Sequence, residues 1–502
     1  MKFNNLISQL NPNKWGHADE RPPRAVLAVT LAAMFLLFAT WAISSPVGSS
    51  NDETFHLASM WCSGQGDSDC QVPKFIAAAP CFSEKPSWTP SCRWSSDEKL
   101  VSTTRFTPLN GEIRLVYYRF GGLIFNDHLE SSVIRLRIIN SLIAILMFGA
   151  TIFLGWGRLS RAFLIAFCAT AVPLGLFLIP SVNPQSWLYI GSFSSWVLIW
   201  LALTEENKQR RIWVFIFSLF AVSLAVTSRA DGPLILSVIT ISVSVLAWRE
   251  KKLLQRKLIP TIIGGLILLF WRDSQIVGGP KNSQIVGALK NSLVEKGSGF
   301  FSPYYTMHNL PRMIEFYFGD FATRIGDSDT GMPPLVVLGA LFIFVVWLMW
   351  ALRSVGRPRE IVAFGLLSIL IFVPVLVLNN AAYQIGGLFL PRYMWPFLFG
   401  FVFVLSSNNR DKLNRLSLGE AALIVVAFVP CVTAAQFVLV KRYTVSASST
   451  SWDLNADKLW WWSSGPSPLM TVALGAFFAV ILISSLISLV IISEGQGQSE
   501  IA

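Results

Sequence analysis

Charge and histidine are scarce in this sequence, and three common catalytic or phosphate-binding motifs are missing. Of its 502 residues only 14% are charged and four are histidines. The chain contains no GxxxxGK[ST] phosphate loop, no HExxH zinc helix and no Gly-x-Ser-x-Gly elbow. These absences argue against a P-loop nucleotide enzyme, a zinc protease of the HExxH type and an α/β-hydrolase. The shortage of histidine also disfavours a histidine-rich metal site.

Hydrophobic residues dominate instead, at 53% of the chain with a mean hydropathy of +0.54. Many apolar runs have about the 20 residues that a helix needs to span a bilayer. We therefore predict an all-α polytopic membrane protein rather than a set of soluble domains. The predicted spans, about twelve in number, lie near 25–45, 137–156, 162–180, 187–203, 212–228, 233–248, 258–271, 334–352, 360–378, 394–406, 419–438 and 468–492.

The net charge of +11 follows from the placement of basic residues in alternate short connections. Such connections carry Arg158 and Arg161, and later Lys208, Arg210 and Arg211. By the positive-inside rule these connections are cytoplasmic, so both termini are predicted to be cytoplasmic as well. The charge thus reports topology and predicts no nucleic-acid partner. We interpret the first run as a retained helix rather than a signal peptide, because it ends without a clear A-x-A site.

This topology divides the chain into a cytoplasmic segment 1–24, a transmembrane domain 25–492 and a cytoplasmic tail 493–502. The three larger extracytoplasmic loops are predicted at 46–133, 272–333 and 439–467. Four of the six cysteines, Cys62, Cys70, Cys81 and Cys92, fall in the first loop. Four cysteines in one extracytoplasmic segment predict two disulfides, whose three possible connectivities the sequence leaves open.

The stretch SSNDETFH, which follows the first apolar run, places two acids and a histidine at a membrane boundary. Ser50 and Glu53 have capping-box spacing, so we predict a helix that begins with Ser50 as its N-cap. Asp52 and His56 would then lie one turn apart on one face. Asp52 or Glu53 is a candidate general base, since partial burial raises the pKa of a carboxyl group. An ordinary acidic helix start is the alternative interpretation.

Three further stretches place polar or charged groups near the same predicted membrane face. Tyr117 and Tyr118 belong to an amphipathic segment and are interpreted either as lining a lipid-substrate groove or as interfacial aromatics. "TSRADGPL" brings Arg229 and Asp231 to the end of one span, where the two either bind substrate or satisfy each other. "LPRYMWPF" brings Arg392 and Tyr393 to the start of another. Arginine binds phosphate bidentately, so Arg392 is the stronger candidate for a phosphate ligand.

These motifs together resemble bacterial membrane proteins of the glycosyltransferase C superfamily. More narrowly, "SSNDETFHLAS", "SRADGPL" and "LPRYMWPFL" resemble a family of predicted polytopic membrane proteins of unknown function. Members of that family have a Pro-Asp-Glu-x-x-His element after the first helix and an Arg-Tyr-x-x-Pro element late in the chain. Asn51 stands here in place of the proline. The resemblance implies a glycosyltransferase C-like bundle with a large first extracytoplasmic loop.

The resemblance also implies an activity at the outer face of the plasma membrane. A sugar would pass from a polyprenyl-phosphate donor to a glycan or protein acceptor of the cell envelope. Asp52 would act as the base, with Glu53 as the alternative, while Arg392 and Arg229 stabilise the leaving phosphate. No nucleotide-binding fold is required, because the donor is lipid-borne. A divalent metal stays open as a cofactor, since some members of the superfamily use one. Two other classes stay open: a transporter or flippase of lipid-linked saccharides, and an envelope scaffold without chemistry.

Overall fold

The structure is a computed structural model that describes residues 21–64, 70–85, 87–92, 99–106, 115–125, 128–249, 264, 302–353, 356–386, 389–407 and 416–496. Helices dominate these residues. In chain order they are α1 (Arg24–Ala42), α2 (Glu53–Trp61), α3 (Lys74–Ala77), α4 (Cys81–Glu84), α5 (Leu115–Gly122), α6 (Leu129–Leu154), α7 (Arg158–Thr170), α8 (Leu174–Leu178), α9 (Pro184–Thr204), α10 (Lys208–Ser228), α11 (Gly232–Arg249), α12 (Pro303–Asn309), α13 (Met313–Phe318), α14 (Asp320–Thr323), α15 (Pro334–Leu352), α16 (Arg357–Asn380), α17 (Trp395–Ser406), α18 (Leu418–Thr444) and α19 (Pro468–Gln496).

Eight helices in the described part of the chain are long and apolar enough to cross a membrane: α1, α6, α9, α10, α15, α16, α18 and α19. Two shorter apolar helices, α11 and α17, accompany them. The prediction of a multi-pass helical membrane protein is therefore confirmed, whereas the number twelve is not. The predicted span at 258–271 lies outside the described residues, apart from residue 264.

One predicted span is wrong in its continuity. The run 162–180 was expected to form a single helix, but α7 ends at Thr170 and the short α8 begins only at Leu174. Pro173 stands between them, and proline has no N–H to donate to a helical carbonyl. Apolar composition alone therefore overestimated the length of this helix.

The core of the bundle is built around α9, whose residues from Pro184 to Leu203 are all buried. α9 packs against α6, α10, α11 and α17. Gly191 permits the close approach to α10, because a Cβ at this position would lie 2.4 Å from the carbonyl oxygen of Ala221. This contact fixes α10, whose C-terminal end carries Arg229, against the N-terminal half of α9.

Two disulfides and a small sheet organise the first loop. Cys62 pairs with Cys70 and Cys81 pairs with Cys92, which confirms two disulfides and selects one of the three connectivities. Strand β1 (Cys70–Pro73) pairs antiparallel with β2 (Leu100–Thr103), with Cys70 opposite Thr103. Within the residues that the structure describes, β-structure is limited to this two-stranded sheet and the isolated bridge between Ile325 and Thr330.

Candidate functional site

The segment that joins α1 to α2 is held by one buried arginine of α6. Arg137 is 2% exposed and donates hydrogen bonds to three backbone carbonyls of this segment. The acceptors are the carbonyl oxygens of Ala42, Ser45 and Pro46, at 2.8, 2.7 and 2.8 Å. A planar guanidinium with five donors suits such a convergent set of oxygens. Arg137 therefore fixes where the chain turns after α1.

Glu53 completes this arrangement as the carboxylate partner of Arg137. Its side chain is fully buried, and both of its oxygens lie 3.0 Å from Nη2 of Arg137. Oε2 also accepts the N–H groups of Gly48 and Ser50, at 2.9 and 3.2 Å. The predicted N-cap at Ser50 is wrong, because α2 begins at Glu53 with Asp52 as the preceding residue. Of the two hydrogen bonds expected in a capping box, only the one from the Ser50 N–H to the Glu53 side chain forms.

Asp52 lies beside this buried pair but faces outward. Its side chain is 62% exposed, and its Oδ2 lies 3.6 Å from Nη2 of Arg392. Its backbone has a φ of +56°, in the left-handed region that non-glycine residues seldom adopt. Asp52 and His56 are linked as predicted through one turn of α2, since the His56 N–H donates to the Asp52 carbonyl at 3.1 Å. The carboxylate of Asp52 is thus exposed to solvent, next to the buried Arg137–Glu53 pair.

Two arginines, the buried Arg392 and the partly buried Arg229, lie near the ring of Tyr393. The guanidinium carbon of Arg392 lies 5.4 Å from the centroid of this ring, and that of Arg229 lies 5.3 Å from it. Tyr189 of α9 donates its hydroxyl to the backbone carbonyl of Arg392 at 2.8 Å, which fixes the short turn before α17. Asp231 pairs with Arg229 at 3.4 Å. Two cations therefore lie near one aromatic ring, with Asp231 as the carboxylate paired to Arg229.

Both arginines retain unused donors. Among the described residues, the buried Nε atoms of Arg392 and Arg229 have no hydrogen-bond partner. A buried donor without a partner costs about 1–3 kcal/mol. An anion that reached these guanidinium groups would reduce the cost of holding two positive charges together. The arrangement is therefore suited to a phosphate.

His56 lies behind the carboxylate as a neutral residue. It is buried, and its Nδ1 lies 3.0 Å from the hydroxyl of Tyr118. Burial, together with the positive charges of Arg229, Arg392 and Arg105, lowers the pKa of His56 to about 3. Tyr118 and the neighbouring Tyr117 are both buried inside the protein, so neither is an interfacial aromatic. Their predicted role in substrate binding stays a prediction.

The structure thus brings most of the predicted site residues to one end of the bundle. We call this set the Asp52 cluster; its members are Asp52, His56, Tyr118, Arg229, Asp231, Arg392 and Tyr393. Tyr117 packs behind it, against Trp187 of α9. Glu53 belongs to the supporting ion pair rather than to the exposed face.

Sequence reasoning missed a tight turn of the second loop that contacts this cluster. Residues 326–329 form the turn between Ile325 and Thr330, whose backbones pair in an antiparallel bridge. Asp327 accepts the N–H of Asp52 through Oδ1 at 3.4 Å, and Ser328 accepts Nδ2 of Asn51 at 2.6 Å. Burial, together with the negative charge of Asp52, raises the pKa of Asp327 to about 7. A second carboxyl group therefore lies next to the exposed one.

The turn is anchored from its other side by Arg442, at the end of α18. Arg442 is 1% exposed and donates to Oδ2 of Asp329 at 2.9 Å. It also donates to the carbonyl oxygens of Phe82 and Trp88, both within the loop closed by the disulfide of Cys81 and Cys92. One buried guanidinium thus connects the first loop, the second loop and α18.

Two sequence signals could have pointed to these missed residues. Arg137 is an ionisable residue inside a predicted span, and such residues are rare unless paired or functional. The acidic turn GDSDTG at 326–331 stands directly before the span that starts at 334. No local sequence pattern identified the partners of Arg137 or of the acidic turn.

A metal site was left open by the sequence. Within the described residues, no group of three or more histidine, cysteine, aspartate or glutamate side chains could hold a metal ion. The two neighbouring carboxyl groups of Asp52 and Asp327 are fewer ligands than a protein cage usually supplies. We therefore derive no chemical step through a metal.

Comparison with known families agrees with this architecture. A model described as "Predicted membrane protein (DUF2142)" matches residues 35–401, which include the C-terminal part of α1, all of α2, the turn at 325–330 and the Arg392 turn. The chain belongs to the DUF2142 family. No curated protein matches the chain, and no solved structure matches it either.

In this DUF2142 protein the Asp52 cluster combines three chemical capacities. An exposed carboxylate can accept a proton, two arginines can bind a phosphate, and a neutral imidazole with a tyrosine hydroxyl can hydrogen-bond an uncharged polar group. These groups come from four separate stretches of a multi-pass membrane protein. The cluster lies where helices α1, α9, α10 and α17 begin or end, and therefore at one end of the bundle.

Proposed function

We propose that this protein is an inverting glycosyltransferase that uses a polyprenyl-phosphate sugar as its donor. The acceptor is a glycan or a protein of the cell envelope, at the outer face of the bacterial plasma membrane. One observation carries the proposal: the exposed carboxylate of Asp52 lies 3.6 Å from the buried guanidinium of Arg392 at one end of a membrane bundle. A base and a phosphate ligand side by side are what such a transfer requires.

The arginines supply the site for the donor phosphate. Arg392 and Arg229 are positioned around Tyr393 with unused donors, and charge-assisted hydrogen bonds to phosphate are about twice as strong as neutral ones. During transfer negative charge grows on the departing phosphate oxygen. Guanidinium groups that are already oriented stabilise this charge without further reorganisation.

Asp52 supplies the base. Its carboxylate takes the proton from the acceptor hydroxyl, and the acceptor oxygen forms a bond to the anomeric carbon from the side opposite the phosphate. The bond between that carbon and the phosphate oxygen breaks, and its electron pair leaves with polyprenyl phosphate. The configuration at the anomeric carbon is inverted. The proton on Asp52 then passes to solvent, which reaches this side chain because it is 62% exposed.

Asp52 is favoured over Glu53 for this role by exposure and pairing. Glu53 is fully buried and is shared among Arg137 and two backbone N–H groups. A carboxylate in such a position has no access to an acceptor hydroxyl. His56 is neutral and hydrogen-bonded to Tyr118, so it is suited to orient a sugar hydroxyl without adding charge.

The proposal is tested by supplying the purified protein in detergent with radiolabelled polyprenyl-phosphate sugars and crude envelope acceptor. We expect label to move onto the acceptor and polyprenyl phosphate to be released. If label stays on the lipid while proteoliposomes carry the lipid-linked sugar across the bilayer, the protein is a transporter and the proposal is wrong. If neither occurs with any donor, the scaffold interpretation takes its place.

A substitution at Arg392 tests the phosphate site separately from turnover. Loss of a charged hydrogen-bond donor removes about 1.5–3 kcal/mol, so we expect Arg392→Gln to weaken donor binding about 10–100-fold. Arg392→Lys should recover part of this loss. The control is Arg312→Gln, an exposed arginine of the second loop that pairs only with the nearby Glu315 among the described residues. Equal donor affinity in Arg392→Gln and Arg312→Gln would show that Arg392 does not bind the phosphate.

A further inference from the structure

The turn at 326–329 contacts the proposed base but contributes no group to the transfer described above. Its contacts to the Asp52 segment come in a pair. Asp327 accepts the backbone N–H of Asp52, and Ser328 accepts the side chain of the preceding Asn51. The carbonyl of Asn51 in turn accepts Nδ2 of Asn183, at the start of α9. The two residues that lead into α2 are therefore held from two sides.

Backbone geometry shows why this support matters. Asp52 has a left-handed φ of +56°, and such conformations persist only where neighbouring contacts enforce them. The turn packs closely against α18, because Gly326 has a φ of +72° and a Cβ there would meet the Tyr443 hydroxyl at 2.6 Å. Asp329 of the same turn accepts from Arg442 and Tyr443. The support therefore extends from α18 to Asp52.

We propose that Asp327 is a positioning residue for the proposed base: it holds the backbone of Asp52 in the left-handed conformation and places a second carboxylate beside it. This inference rests on the proposed function for its catalytic consequence, but the contact itself does not. A second negative charge nearby disfavours the ionised form of a carboxyl group and so increases its affinity for a proton. The charge of Asp52 acts on Asp327 in this way.

Neighbouring charged groups shift the pKa of Asp327. They are Asp52 before α2, Asp329 of the same turn, and Arg392 before α17. Burial and the charge of Asp52 raise the pKa of Asp327 to about 7, while the N–H of Asp52 and the charge of Arg392 oppose this shift. Near neutral pH Asp327 therefore gains or loses a negative charge beside the proposed base.

Two substitutions separate the geometric contribution from the electrostatic one. Asp327→Asn keeps an oxygen that can accept the Asp52 N–H but removes the charge. We expect it to retain transfer and to remove the change in kcat near pH 7 that the titration of Asp327 produces in wild type. Asp327→Ala loses the acceptor as well, and we expect it to lower kcat at every pH by about 10–100-fold with little change in KM, as for a misplaced catalytic group. A merely structural role would lower the yield of folded protein without a shift in the pH profile.

A second measurement does not depend on activity. A carboxyl whose pKa is raised in the folded state binds more protons there than in the unfolded chain, so its contribution to stability is lost as pH rises from about 4 to about 7. We therefore expect the Tm of wild type, relative to Asp327→Asn, to fall between pH 5 and pH 8. Asp52→Asn should reduce this fall, because it removes one of the charges that raise the pKa of Asp327.

The outcomes of the two measurements distinguish this inference from the proposed function. If wild type transfers sugar and Asp327→Asn and Asp327→Ala both match its kcat and pH profile, the positioning role is refuted and the glycosyltransferase stands. If no transfer is found but the Tm of wild type depends on pH as described, the proposed function fails and the pairing of the two carboxyl groups stands. Identical pH dependence of Tm in wild type, Asp327→Asn and Asp52→Asn would overturn the pairing.

Discussion

Replacing Asp52 by Asn should lower the rate of sugar transfer about 10²–10⁴-fold, the usual contribution of a general base. The substitution keeps the size of the side chain and removes only its capacity to accept the proton of the acceptor hydroxyl. The side chain is largely exposed, and the one ion pair that it forms with the described residues, to Arg392, spans 3.6 Å. We therefore expect the folded yield and the Tm at pH 7 to change little. The measurement is single-turnover transfer from radiolabelled polyprenyl-phosphate sugar.

Donor binding separates loss of chemistry from loss of the site. Arg392 and Arg229 remain in Asp52→Asn, so binding of the polyprenyl-phosphate sugar should be retained. The matched control is Asp457→Asn, which removes an exposed carboxylate from the third loop, for which the structure shows no hydrogen bond or ion pair among the described residues. Transfer by Asp52→Asn at the rate of Asp457→Asn would show that Asp52 is not the base.

The sequence predicted the membrane-spanning character of the fold well, because it depends on local composition. Eight spans are visible as apolar runs in the described part of the chain, and the cysteines of the first loop form two disulfides as expected. Continuity was harder to predict. The run at 162–180 is apolar throughout but contains Pro173, and a bundle core accepts the resulting break between α7 and α8.

The candidate site was predictable in its parts but not in its pairings. Asp52, His56, Arg229 and Arg392 stood out because charged or polar groups near a bilayer are costly. Asp327 did not, because its contact with Asp52 joins residues 275 positions apart. The same applies to Glu53, whose capping-box spacing suggested a local role. Its partner Arg137 lies 84 positions away on α6, so the sequence could not distinguish a candidate base from a buried structural acid.

Glu53 should prove as important for folding as Asp52 is for turnover. We expect Glu53→Gln to lower the free energy of unfolding by about 3–5 kcal/mol, the usual cost of removing one partner of a buried ion pair. Arg137 would remain buried at 2% exposure with its charge uncompensated. The amide of glutamine would also offer only one acceptor, whereas two carboxylate oxygens now serve Arg137, Gly48 and Ser50. Unfolding in mixed micelles, followed by SDS titration, measures the loss.

The control for this prediction is the same substitution in an exposed pair. Glu315 lies 2.6 Å from Arg312 with half of its side chain exposed, and such pairs contribute about 0.2–1 kcal/mol. Glu315→Gln should therefore change stability little. An equally small effect of Glu53→Gln would mean that the Arg137 pair does not hold the segment between α1 and α2. If enough Glu53→Gln folds to be assayed, its rate of sugar transfer per folded molecule should far exceed that of Asp52→Asn. The reason is that Glu53 stabilises the fold, whereas Asp52 is the proposed base.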